Sequence, residues 1–197
     1  MQPPDHPPGG HSDHERHAHP AGRDPAPHHR PRRSRGDVPQ IESLPEGDAR
    51  GKIVEDVIRE LSVHAAIEEQ VLYPVMRKEL PDGETLIQKA IDEHQEVKET
   101  LAAIERADAP TQRDQLLVQL MGRVRDHVEE EETELFPKLQ ASISRAHLQE
   151  MGGKLAAAKK MAPTHPHPNA PNTPPGNLVG GVAAAVMDKA RDALRRD

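Results

Sequence analysis

His64-Ala65-Ala66-Ile67-Glu68-Glu69-Gln70-Val71-Leu72-Tyr73-Pro74 returns 63 residues later as His127-Val128-Glu129-Glu130-Glu131-Glu132-Thr133-Glu134-Leu135-Phe136-Pro137. The shared pattern is H-x3-E-E-x2-L-[YF]-P. In a helix, positions i and i+4 lie one turn apart on the same face, so each copy can aim an imidazole and a carboxylate at one point. The flanking sequence decides which way that face looks. Before and after the first copy, Val54, Val57, Ile58, Leu61, Val71, Leu72 and Val75 recur at the helical period, closed by Pro81-Asp82-Gly83. Around the second, Leu117, Leu120, Val124, Val128, Leu135 and Leu139 do the same. His64, Glu68, His127 and Glu131 continue those apolar stripes and are therefore expected to point into a core.

Between the copies a further stripe, Ile87, Ala90, Ile91, Val97, Leu101 and Ile104, runs from Glu84 to about Ala107, and its central gap is filled by His94. A weaker pattern from Ser142 to Met161 carries Ile143, Met151 and Leu155, interrupted by Gly152-Gly153. No period-2 alternation competes with these stripes, so the domain is expected to be all-α. The short loops make successive helices antiparallel neighbours, which is a helix bundle.

Burying an unpaired imidazole or carboxylate costs several kcal/mol, on the order of 2 to 7 for a neutral polar group and more for a charge. The five inward residues must therefore satisfy one another or hold something. A single His four residues before a Glu on an acidic helix is ordinarily a solvated pair. Two copies in register, both on apolar stripes, with a third stripe bearing a central His, tip the balance toward a metal. Imidazole and carboxylate without thiolate suit Fe, Mn or Zn, and inward Glu and His residues are how di-iron carboxylate bundles are built. The candidate ligands are His64, Glu68, His94, His127 and Glu131. Tyr73 and Phe136 are expected to be packing residues at the end of the site. Glu69, Glu129, Glu130, Glu132, Glu134 and His147 are expected to face solvent.

Proline marks the borders: ten of the 20 lie in residues 1–45 and six in 163–175. Each would remove a hydrogen bond from a helix interior and clash with it. Residues 1–40 are thus expected to be a disordered, low-complexity segment, rich in Pro and His and carrying the basic run Arg30, Arg32, Arg33 and Arg35. The bundle is expected over 41–161, a Pro-rich linker over 162–177, and a short amphipathic helix over 178–197 that docks on the bundle. The 197-residue chain has no Cys and two aromatic residues, which excludes a disulfide scaffold, a thiolate metal site and base-stacking nucleic-acid modules. Its net charge of −7 argues against nucleic acid as a partner. No apolar run reaches 18 residues, so no membrane span is expected, and a cytoplasmic location is the default.

With Leu61-Ser62-Val63-His64-Ala65-Ala66-Ile67-Glu68-Glu69 and Asp126-His127-Val128-Glu129-Glu130-Glu131-Glu132, the chain resembles the hemerythrin-like HHE cation-binding domain, from about Ile41 to Gln140. The resemblance implies a four-helix bundle around a non-haem di-iron centre that binds dioxygen, nitric oxide or related small molecules, or that senses or stores iron. It implies His64, Glu68, His94, His127 and Glu131 as ligands, with Glu68 and Glu131 bridging. Where hemerythrins proper carry a second His four residues after the central one, this chain has Lys98. The family's first helix, with another ligand His, should precede Ile41. The Pro-, His- and Arg-rich sequence there suggests a shifted reading frame or a misplaced start over residues 1 to about 40, which inspection of the gene would settle.

The functional expectation is a di-iron binding protein of an oxygen, nitric oxide or iron-stress response, not a turnover enzyme, since no nucleophile or phosphate loop is evident. The alternative is a metal-free, truncated bundle serving as a structural or interaction module, for instance as a homodimer.

Overall fold

The computed structural model describes residues 47–194. The expectations for residues 1–40, and the missing ligand-bearing helix with them, lie outside the described residues. Three long rods form the body. The first comprises α1 (Asp48–Ile67), a π turn (Glu68–Leu72) and α2 (Tyr73–Glu79). The second is α3 (Gly83–Arg106). The third comprises α4 (Pro110–Glu130), a second π turn (Glu131–Leu135) and α5 (Phe136–Ser142). Then come α6 (Arg145–Lys159) and α7 (Gly176–Leu194). The described residues contain helices and no strands, as the periodicity required.

The start signals are local. Pro110 opens α4, where its missing N–H has no helical partner to lose. Ser144 caps α6 by accepting a hydrogen bond from the His147 backbone N–H at 3.2 Å. At the tight corner into α3, a Cβ on Gly83 would lie 2.5 Å from the Arg77 carbonyl oxygen and 2.6 Å from that of Met76, so only glycine lets the two rods approach there.

The π turns depart from the regular helices that the periodicity suggests. In both rods a proline follows directly, Pro74 and Pro137. Proline brings no N–H to the ladder, and its ring presses on the carbonyl four residues back. The helix widens by one residue instead, so that the Tyr73 N–H reaches Glu68 O and the Phe136 N–H reaches Glu131 O. The extra residue shifts the inward face. Val71 and Val75, expected inside, are half-buried, while Tyr73 and Met76 are fully buried.

Two apolar clusters occupy the ends of the bundle. One holds Ile67, Leu72, Met76, Ile87, Leu135, Leu139 and, from α6, Met151 and Leu155. The other holds Val54, Ile58, Leu61, Leu101, Ile104, Leu117, Leu120 and Val124. Between them lies a polar layer. The segment after α6 and helix α7 fold back along the rods, forming a C-terminal arm. His165 bridges Glu105 of α3 and Asp192 of α7, the latter at 2.8 Å, and Asp188 accepts from the backbone N–H of Thr164 and His165 at 2.9 and 3.0 Å. The arm seats the small residues Gly181, Ala184 and Ala185 against the bundle and leaves Val179, Val186 and Met187 exposed.

Candidate metal centre

The five candidate residues all lie in the polar layer, buried at 2–7% relative exposure. His64 and Glu68 come from α1 and the first π turn, His94 from α3, and His127 and Glu131 from α4 and the second π turn. One ligand atom from each of His64, Glu68, His94 and His127 can be chosen so that all lie within 4.8 Å of one another. Glu68 Oε2 is 3.1 Å from His64 Nε2 and 3.5 Å from His94 Nε2. The Nε2 atoms of His94 and His127 face each other at 3.0 Å. Glu131 Oε1 closes the far side, 3.5 Å from His127 Nε2.

Each facing imidazole has a carboxylate behind it. His94 Nδ1 is 3.2 Å from Glu69 Oε1, and His127 Nδ1 is 2.8 Å from Glu93 Oε2. Such partners fix a ligand's tautomer and leave Nε2 to the ion. Glu69 thereby departs from the solvent-facing expectation: it is 4% exposed and paired with Lys98 at 2.7 Å. The π turn beginning at Glu68 carries it inward, which a 3.6-residue period does not foresee. Glu93 was missed altogether; its only signal was a position beside His94. Tyr73 packs in the apolar cluster as expected, but its hydroxyl does more: it donates to Glu131 Oε1 at 3.2 Å and lies 3.0 Å from His94 Nε2 and 3.5 Å from His127 Nε2. Phe136, its counterpart in the repeat, does pack on the apolar cluster.

The electrostatics describe a pocket filled with protons. Burial, then the neighbouring Glu131, pushes Glu68 well above the carboxylate range. Burial, with His127 and His64 beside it, pushes His94 well below the usual imidazole value and keeps it neutral. At His127 burial opposes charge, but the hydrogen bonds to Glu131 and Glu93 outweigh it and hold the imidazole at about 10. Burial also works against the Glu131 anion, yet the His127 bond prevails and lowers it. The layer thus sets a His127 imidazolium against a Glu131 carboxylate.

These residues fit a cation. Glu68 Oε2 is buried and, although 3.1 Å from His64 Nε2, makes no well-directed hydrogen bond, and two imidazole nitrogens are pressed to 3.0 Å, where only a shared proton or an ion relieves lone-pair repulsion. Nitrogen and oxygen donors without sulfur suit iron, manganese or zinc.

An all-helical bundle with buried His and Glu residues converging from three rods defines a cation-binding helical protein. The hemerythrin HHE cation-binding domain model matches residues 28–139, and the chain belongs to that family. The match ends one residue before Gln140, where the stretch of resemblance was expected to end, and begins 13 residues before Ile41, outside the described residues. An uncharacterized hemerythrin-like protein of Schizosaccharomyces pombe is 34% identical over 84% of this chain and 82% of its own length. A DNA nickase of a Nostoc species is 34% identical over 52% of this chain but 29% of its own length. No solved structure matches the chain. Among the described residues no helix is long and apolar enough to cross a membrane.

Proposed function

We propose that the protein holds a non-haem iron centre, di-iron in type, and serves as a binding protein for a small diatomic ligand such as dioxygen or nitric oxide in an oxygen or iron-stress response, rather than as a turnover enzyme. The observation that carries this reading is the convergence of His64, Glu68, His94 and His127 from separate rods onto one point in the buried layer between two apolar clusters. His64, His94 and His127 would supply nitrogens; Glu68 and Glu131, on facing π turns, would supply the oxygens and are the candidates to bridge two ions. Bound iron would supply the open coordination position at which a small ligand is taken up. The chain's own share is to orient His94 and His127 through Glu69 and Glu93, to keep water out with the two apolar clusters, and to hold a proton on Tyr73. Burial and then the nearby Glu131 and Glu68 raise that phenol well above its ordinary value.

The nickase matches over less than a third of its length, and nicking DNA is not part of the proposal. Manganese and zinc remain chemically compatible. Metal analysis of purified protein together with its optical spectrum tests the proposal: His127→Ala should lose the metal, and unchanged metal in that variant would end it. A chain without metal in either form would favour the second reading, a structural or interaction module working as a homodimer, for which the outward apolar residues of α7 are the specific observation.

A further inference from the structure

Lys98 stands one turn beyond His94 on α3 and is only 8% exposed. A buried ammonium is tolerated only when its donors are satisfied, and here all three directions are used. Its Nζ lies 2.7 Å from Glu69 Oε1 and 2.8 Å from Glu69 Oε2, and donates to Asn172 Oδ1 at 2.8 Å. Glu69 Oε1 in turn lies 3.2 Å from His94 Nδ1. Asn172 belongs to the arm and is itself held, donating through Nδ2 to Gln95 Oε1 at 3.2 Å. Asn177, at the start of α7, donates to the Glu69 carbonyl at 3.2 Å and to the Asn172 carbonyl at 3.3 Å. A continuous chain of polar contacts thus runs from the arm, through Lys98 and Glu69, to the Nδ1 side of a candidate ligand.

His127 offers an internal contrast. Its partner Glu93 is braced by Lys89, whose side chain is more than half exposed and is shared with Glu130 at the surface. The ion pair behind His94 is buried, and it is tied through part-buried Asn172 to a separate part of the chain. An ion pair retained only for packing would need neither the bidentate grip on Glu69 nor the contact from Asn172.

We propose that Lys98 is a positioning residue of the metal centre, gripping Glu69 so that His94 presents Nε2 to the ion, with Asn172 of the C-terminal arm bracing it. The inference rests on the reading of the site as a cation centre. It makes the arm part of the centre's affinity: loosening Asn172 relaxes Lys98, then Glu69, then the ring of His94.

The full chain, stripped of metal and titrated with Co2+ while its visible absorption is followed, tests this. Lys98→Met should weaken Co2+ binding by roughly 10- to 100-fold, the range for losing a partner behind a ligand, and Asn172→Ala by less. The double variant should be no weaker than Lys98→Met alone, because both act through one path. Lys98→Arg, which can grip a carboxylate with two donors, should recover most of the affinity. Lys98→Met binding Co2+ within about twofold of the parent, or the two effects multiplying in full, would overturn the proposal. Should Lys98→Met not fold, Asn172→Ala decides alone: unchanged affinity and unchanged cobalt bands sink it. If the parent takes up no Co2+, the cation reading has failed, and the positioning role is read from the side-chain nitrogen shifts of His94 in the metal-free chain. There Lys98→Met should move His94 from a single Nδ1–H form to a mixture, and an unaltered spectrum would refute the role.

Discussion

The proton content of the buried layer sets how single residues answer to an ion. In the unloaded site burial and then Glu131 favour the protonated form of Glu68, and at neutral pH His127 carries an extra proton, held at about 10 by its carboxylate partners against burial. A divalent ion needs both groups deprotonated, so binding should release at least the His127 proton at pH 7, with Glu68 adding to it. Calorimetry in buffers of different ionisation enthalpy would count the release, and a count near zero would mean that His127 is not a ligand. The same values set the stability of the unloaded chain. Between about pH 7 and 10 folded His127 keeps a proton that an unfolded imidazole, with a pKa of about 6.5, has lost. Stability from that proton is complete below the unfolded value and disappears as pH rises through the folded one. Chelator-treated protein should therefore melt at a lower temperature at pH 9.5 than at pH 7. A higher melting temperature at pH 9.5 would contradict the His127–Glu131 pairing. The five inward residues were legible because each interrupts an apolar stripe, whereas Glu69, Glu93 and the hydroxyl of Tyr73 were not. Their roles depend on which turn of one rod lies opposite which turn of another, and no single-helix pattern carries that.

At the scale of the element, the E-E-x2-L-[YF]-P half of the repeat encodes a widened turn beneath each candidate bridging carboxylate. The proline at its end was visible in the sequence as punctuation, but its consequence was not, because a rod can respond to an interior proline by kinking, ending or widening. Here it widens, and Tyr73 is carried to the centre in place of the half-buried Val71 and Val75. Pro74→Ala restores the N–H that an ordinary helix needs; if the turn reverts with its residue count unchanged, everything beyond it should rotate by about 100°. Tyr73 would leave the site and Met76 its apolar cluster. Circular dichroism should report retained helix while metal content falls sharply, and full metal content in Pro74→Ala would show that the π turn does not place the site.

For the whole molecule, the order of rods and the docking of α7 followed from short loops and amphipathic spacing, but the side of α7 that docks did not. Apolar size alone would seat Val179, Val186 and Met187 inward, yet the close approach favours Gly181, Ala184 and Ala185, and Asp188 finds backbone donors there. The arrangement of two apolar clusters on either side of a polar layer has a further consequence. Cooperative melting requires that the loss of one part undermine the rest, and apolar contact is what ordinarily transmits that loss. Here transmission between the ends passes through imidazoles and carboxylates. An ion would act as a rivet through three rods, so that the loaded protein melts in one calorimetric transition. With chelator the two ends should part company: amides near Leu101 and Leu120 and amides near Ile87 and Leu139 should exchange hydrogen with separate opening energies, and a single shared value in both states would mean that the rods alone keep the ends in step.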